Sequence, residues 1–157
     1  MKSAKRKLVT LSLLAGGTAI AIHALNKVIA TSAIVKNILN SDDDDYFKWR
    51  YGNIYYTKQG SGSPILLIHD LTPSSSAYEW SKMIDELAKT HTVYALDLLG
   101  CGRSDKPSIT YANYLYVQLI TDFAKQVIQE PVDVIATGLS SSFVITACNQ
   151  GSEYFKK

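Results

Sequence analysis

Across residues 132–143 the hydrophobic pattern changes period. Val132, Val134, Ile135 and Ala136 form a short apolar, β-branched run after Pro131, residues 138–142 (GLSSS) are mostly small, and apolar positions then recur at helical spacing through Phe143, Val144, Ala147 and Cys148. An apolar run of this length suits a parallel strand covered on both faces, so the stretch predicts strand, tight turn and helix. Upstream, residues 46–51 and 54–57 are rich in aromatic and β-branched side chains and flank Gly52-Asn53, which predicts a β-hairpin turning there. Residues 65–68 (ILLI) predict a central strand, with His69-Asp70-Leu71 at its end. Ser76 and Glu79 form a capping box, and Trp80, Met83, Ile84, Leu87 and Ala88 then fall on one face of a helix. A strand over residues 92–98 and a helix over residues 111–129 follow. That helix carries Tyr116, Leu119, Ile120, Phe123 and Val127 on one stripe and stops before Pro131.

A hairpin followed by alternating strands and helices predicts an α/β domain, a mostly parallel sheet with crossover helices. In such sheets chemistry gathers at the carboxyl ends of the strands. Residues 69–71, 97–104 and 138–142 all lie there.

The N-terminal pattern is different. Lys2, Lys5, Arg6 and Lys7 precede an uncharged, largely apolar run over residues 8–25. As a helix it would be about 27 Å long, close to the roughly 30 Å of a bilayer core, and Lys27 adds reach by snorkelling. The favoured reading is a retained single-pass anchor in the cell membrane, with a cytoplasmic N-terminus and the rest of the chain extracytoplasmic. A cleaved leader, cut at Ala19-Ile20-Ala21 or Thr31-Ser32-Ala33, and a soluble apolar helix are the other two readings. Residues 41–45 (SDDDD) read as a solvated linker, because a calcium loop spaces its ligands and includes a turn glycine. The expected division is therefore 1–40 anchor, 41–45 linker and 46–157 domain.

Composition narrows the function classes. With 46% hydrophobic and 19% charged residues the chain is globular, and a net charge of +2 gives no footprint for nucleic acid. Cys101 and Cys148 are too few for a disulfide framework and lack metal-ligand spacing. Neither a metal nor a cofactor is expected.

The candidate chemistry sits in the turn after the last strand. Residues 138–142 approximate G-x-S-x-G, in which a strained strand-to-helix turn pushes the central hydroxyl, here Ser140, clear of the backbone. The backbone N–H of Ser141, at a helix start, is a natural half of an oxyanion hole. The plainer reading is that residues 140–142 cap a helix.

Three stretches together, LLIHDLTPSSSAYEW, DLLGCGRSDKP and GLSSS, resemble the front half of an α/β-hydrolase domain, from about Tyr46 onward. The resemblance implies a partial α/β-hydrolase fold preceded by an apolar N-terminal helix. It also implies Ser140 as nucleophile and the backbone amides of Leu71 and Ser141 as oxyanion donors, acting on a small acyl or ester substrate. Asp70 stands where the family's His-Gly pair has glycine, Ser142 replaces the second elbow glycine, and Leu139 occupies a place often held by His, Trp or Gln.

The family's acid and histidine follow the serine in chain order. Of the histidines here, His23 lies in the apolar segment, His69 in the oxyanion loop, and His91 ahead of a strand at the opposite edge of the sheet. The expectation is thus an esterase- or lipase-like serine hydrolase represented by its N-terminal part. Such a part would be nearly inactive as it stands, have an open sheet edge, and depend on a missing C-terminal half. The reading from a different class is a non-catalytic α/β-hydrolase-like binding module at the membrane. Asp97 and Arg103 are expected to hold a loop, Cys101 to be a small buried residue, and Tyr111, Tyr114 and Tyr116 to pack a helix.

Overall fold

The computed structural model describes residues 17–18, 20–28 and 44–156. The chain divides into two units, residues 1–40 and 41–157. In the first, the described residues are helical, with Ile20, Ile22, Leu25 and Val28 exposed. No helix among the described residues is long and apolar enough to cross a membrane. Most of the expected anchor, and the Thr31-Ser32-Ala33 cut site, lie outside the described residues.

The second unit carries a five-stranded sheet made of β1 (Asp44–Trp49), β2 (Gly52–Gln59), β3 (Ser63–Ile68), β4 (His91–Leu96) and β5 (Asp133–Ala136). Its spatial order is β1-β2-β4-β3-β5. The pairs β1–β2 and β2–β4 are antiparallel, whereas β3 runs parallel to both β4 and β5. Alternation along the strands builds two cores. Leu66, Ile68, Tyr94 and Leu96 face α2 (Asn113–Phe123) and α3 (Ser140–Gln150), while Ile65, Leu67, Val93 and Ala95 face a 3₁₀ turn at Ala77–Trp80 and the short helix α1 (Ile84–Leu87). The three parallel strands deliver the loops after Ile68, Leu96 and Ala136 to the same, carboxyl end of the sheet.

Several expectations are corrected. The hairpin turns at Arg50-Tyr51, and Gly52 is already in the ladder opposite Trp49. Gly52 answers to a close approach: a methyl group there would lie 2.7 Å from Asp105 Cβ, and the Asp105 carboxylate accepts the Asn53 N–H at 2.7 Å. Asp44 and Asp45 belong to β1 rather than to a linker, pairing with Thr57 and Tyr56. The helix expected from Ser76 onward is split into the 3₁₀ turn and α1. Ser76 does cap, accepting the Tyr78 N–H, but Glu79 turns to other partners.

Beyond α2 the chain widens into a π-helical turn, Ala124–Ile128, closed by Gln129 in a left-handed conformation (φ 64°) two residues before Pro131. β4 lies in the middle of the sheet, so His91 occupies the amino end of a central strand rather than the opposite edge. β5 is not covered on both faces; it is an edge strand, and Ile135 is 37% exposed. Just before it, Val132 pairs in parallel with Phe155.

Candidate active site

The loop after β4 is fastened by a buried carboxylate. Asp97 is 2% exposed; its Oδ1 accepts the Ala77 N–H at 2.6 Å and its Oδ2 accepts the Arg103 N–H at 2.7 Å. The Ser104 hydroxyl donates to the Asp97 carbonyl and accepts the Tyr55 N–H. The Arg103 guanidinium lies 4.7 Å from the Tyr55 ring centroid and donates to its hydroxyl. These residues hold the loop. Cys101 is buried beside them; burial, and then the Asp97 charge, push its thiol pKa up.

His69, fully buried, ties the loops after β3 and β4 together. Its Nε2 accepts the Leu98 N–H at 2.9 Å, so the ring proton sits on Nδ1, 2.6 Å from the Asp70 carbonyl oxygen it serves. Both nitrogens are therefore engaged in structure. His91 Nδ1 pairs with the Thr90 hydroxyl, at the other end of the sheet.

Ser140 is the first residue of α3, directly beyond the carboxyl end of β5. The turn differs from the strained elbow that G-x-S-x-G predicts. Ser140 has no left-handed backbone; the positive φ falls on Gly138 (54°), and Leu139 is the helix cap. The Ser140 hydroxyl is accordingly not lifted clear. It is 0% exposed, and Oγ has no hydrogen-bond partner. Nor do the serines cap the helix from outside, since residues 140–142 form its first turn. Ser142 Oγ donates back to the Leu139 carbonyl at 2.8 Å, and Ser141 Oγ donates to Ala136 O at 3.3 Å.

The two amides expected as oxyanion donors are differently placed. The Leu71 N–H donates to Asp70 Oδ1 at 2.8 Å, and the Ser141 N–H makes a long 3.3 Å bond to Gly138 O. Asp70 Oδ1 accepts a second backbone donor, the Leu139 N–H, also at 2.8 Å. Asp70 thus points into the site and joins the β3 loop to the head of α3. Glu79, read from sequence only as half of a capping box, accepts the Asp70 N–H at 3.3 Å and the Thr137 hydroxyl at 3.2 Å. Only the spatial adjacency of β3 and β5 reveals this role.

Beside Leu71 opens a cleft of about 310 Å³, lined by Leu71, Thr72, Pro73, Gly100, Cys101, Tyr111 and Tyr116. Its wall is an aromatic column. The Tyr111 and Tyr116 rings stack at 6.5 Å and 23°, and Tyr116 stacks on Phe143 of α3 at 5.2 Å and 15°. Tyr114 is 59% exposed and does not pack. No cluster of metal-ligating side chains occurs among the described residues.

Known proteins are similar to this chain in sequence and in fold. The chain is 35% identical over 71 residues to 2-hydroxy-6-oxo-6-(2'-aminophenyl)hexa-2,4-dienoic acid hydrolase of Metapseudomonas resinovorans, over 45% of this chain and 24% of that protein. It is 35% identical over 78 residues to cis-3-alkyl-4-alkyloxetan-2-one decarboxylase of Shewanella oneidensis, over 49% and 24%. Among solved structures, the meta-cleavage product hydrolase of Pseudomonas fluorescens IP01 superposes with a TM-score of 0.67 at 25% identity, covering 72% of this chain and 42% of that one. The matched part spans about a quarter of the curated relatives' length and less than half of the solved structure's. The family model described as the alpha/beta hydrolase family matches residues 65–147, a stretch that holds β3, β4, β5 and the serine turn. On that match, which covers more than half of the chain, the chain belongs to the alpha/beta hydrolase family.

Proposed function

We propose that this chain supplies the nucleophile half of a serine hydrolase acting on a small acyl or ester substrate, with Ser140 as nucleophile. The observation that carries the reading is the Ser140 hydroxyl itself. It is a buried Oγ without a partner, at the head of a helix, beyond the carboxyl end of a parallel strand. A buried hydroxyl normally finds a partner, so an orphaned one at this place is a group held for another use. The helix head favours developing negative charge, and the apolar cleft beside Leu71 gives room for the uncharged part of a substrate.

Attack by Ser140 Oγ on the carbonyl carbon would form a tetrahedral oxyanion. Expulsion of the alcohol would leave an acyl-enzyme, and water would then release the acid. Each proton transfer needs a base. Among the described residues, His69 is tied into the loops by both nitrogens and His91 sits at the far end of the sheet. The base and its acid partner are therefore assigned to a part of the protein outside residues 44–156, and without them the chain has little activity. Tethering to a membrane through residues 1–40 belongs to the same proposal, supported by the basic cluster and the apolar run that follows it.

The test is fluorophosphonate labelling of the protein as its own cells make it, followed by fractionation. Label on Ser140, abolished by Ser140→Ala and recovered with the membranes, is the expected result. No label on the native protein would reject the nucleophile, and label in the soluble fraction would reject the tether.

A second reading is a non-catalytic binding module of the same fold, favoured by the Asp70 carboxylate on the Leu71 amide. Ligand binding that survives Ser140→Ala, without turnover, would establish it.

A further inference from the structure

The head of α3 and the loop after β3 present two backbone donors to one point. The Leu71 and Leu139 N–H groups converge on a single oxygen, Asp70 Oδ1, each at 2.8 Å. Two amides aimed at one oxygen beside a helix N-terminus form a cradle for an anion, and the buried, unpartnered Ser140 hydroxyl adjoins it in the chain. The backbone is shaped around the occupant. Gly138 takes φ +54°, and a methyl group on it would lie 2.1 Å from Asp70 Oδ1, so only glycine leaves room for the carboxylate. The next residues are held as well, with Glu79 accepting both the Asp70 N–H and the Thr137 hydroxyl.

We propose that the Asp70 carboxylate is an internal anion that fills this cradle, and that Asp70 determines what the Ser140 site accepts. A charged oxygen already satisfies both donors, and a second anion in the same place would meet a like charge. While Asp70 is seated, the site therefore excludes carboxylates and destabilises a tetrahedral oxyanion. Removing Asp70 opens it to both. The occupancy of the cradle stands on the hydrogen bonds alone; its effect on reactivity rests on the reading of Ser140 as nucleophile.

Chemical rescue tests the two parts separately. In the full chain, Asp70→Gly should raise amide hydrogen exchange at Leu71 and Leu139 at least tenfold. Acetate, which replaces the lost CH₂COO⁻, should restore protection at those two amides and leave the unsubstituted protein unchanged. In the protein as its own cells make it, fluorophosphonate, whose phosphorus bonds to Ser140 Oγ as fluoride and the hydroxyl proton depart, should label the variant at least tenfold faster, with acetate slowing it again. Unchanged exchange in Asp70→Gly, or no effect of acetate on it, overturns the cradle. Rescued exchange without labelling keeps the cradle and rejects Ser140 as the nucleophile. Should the glycine variant not fold, Asp70→Asn retains the shape while weakening both bonds. A smaller rise in exchange confined to Leu71 and Leu139 then supports the cradle, and none overturns it.

Discussion

A carboxylate persists at 2% exposure only where donors replace the water it has lost, and Asp97 has two, the N–H groups of Ala77 and Arg103. Both are backbone groups, so the side chain fixes the path of two loops at once. Asp97→Ala leaves both donors unpaired in the interior, at an expected cost of about 3 to 5 kcal/mol. Asp97→Asn keeps one acceptor but turns an amide NH₂ toward a donor, at about half that cost. Urea denaturation separates the two, and equal losses would show that something other than donor pairing dominates. Gly102 belongs to the same unit, since at φ +46° a methyl group would sit 2.0 Å from Asp97 Oδ2. The D-x-x-G-x-G-x-S order made this loop legible from sequence. Asp70 was legible as a carboxylate in place of a glycine and Glu79 as half of a capping box, but their contacts were not, because their partners Leu139 and Thr137 are distant in sequence and meet them only when β5 pairs with β3.

Elements were easier to detect than to delimit. Apolar spacing correctly gathers Trp80, Ile84, Leu87 and Ala88 onto one cluster, whereas Met83, expected on the same face, is exposed. It does not reveal that the Ala77 N–H is drawn to Asp97, an anchor outside the helix, and the stretch forms as a 3₁₀ turn and a short helix. The packing of α2 on α3 is clearer, because the Tyr116 ring stacks on Phe143 while its hydroxyl donates to the Leu99 carbonyl at 3.3 Å. Burial first, and then the nearby Cys101 and Tyr111, push the Tyr116 pKa from 10.0 up to about 12. Between those values the unfolded chain has lost a proton that the native state keeps. Stability therefore falls as pH rises through that window, by about 2 to 3 kcal/mol in all. Below pH 10 the contribution is fully present, and above about pH 12 it changes no further. Tyr116→Phe removes this dependence. Unfolding free energies of the two proteins from urea titrations at pH 9 and pH 11 should converge by about 1 kcal/mol, and parallel behaviour would assign the alkaline loss to another group.

At the scale of the whole molecule the sheet is asymmetric. On one side β1 and β2 close it with a hairpin tied down by Asp122, which accepts from Trp49 Nε1 at 2.8 Å and from Arg50 at 2.7 Å. On the other side β5 is the edge. The only pairing beyond it among the described residues is the bridge from Val132 to Phe155, with Lys156 reaching Asp133 Oδ2 at 2.7 Å. That clasp guards the start of the strand and leaves the stretch around Ile135 able to accept another strand. An exposed edge with an apolar side chain is a template for intermolecular pairing. Self-association of this chain should therefore run through β5. Ile135→Lys puts a charge on the edge without touching the fully buried residues of β3 and β4. It should lower the association seen by sedimentation or light scattering several-fold at a stability cost within about 0.5 kcal/mol. Association that persists undiminished in this variant would move the contact to another surface, with the exposed Leu139 and Ile145 of the α3 region as the next candidates.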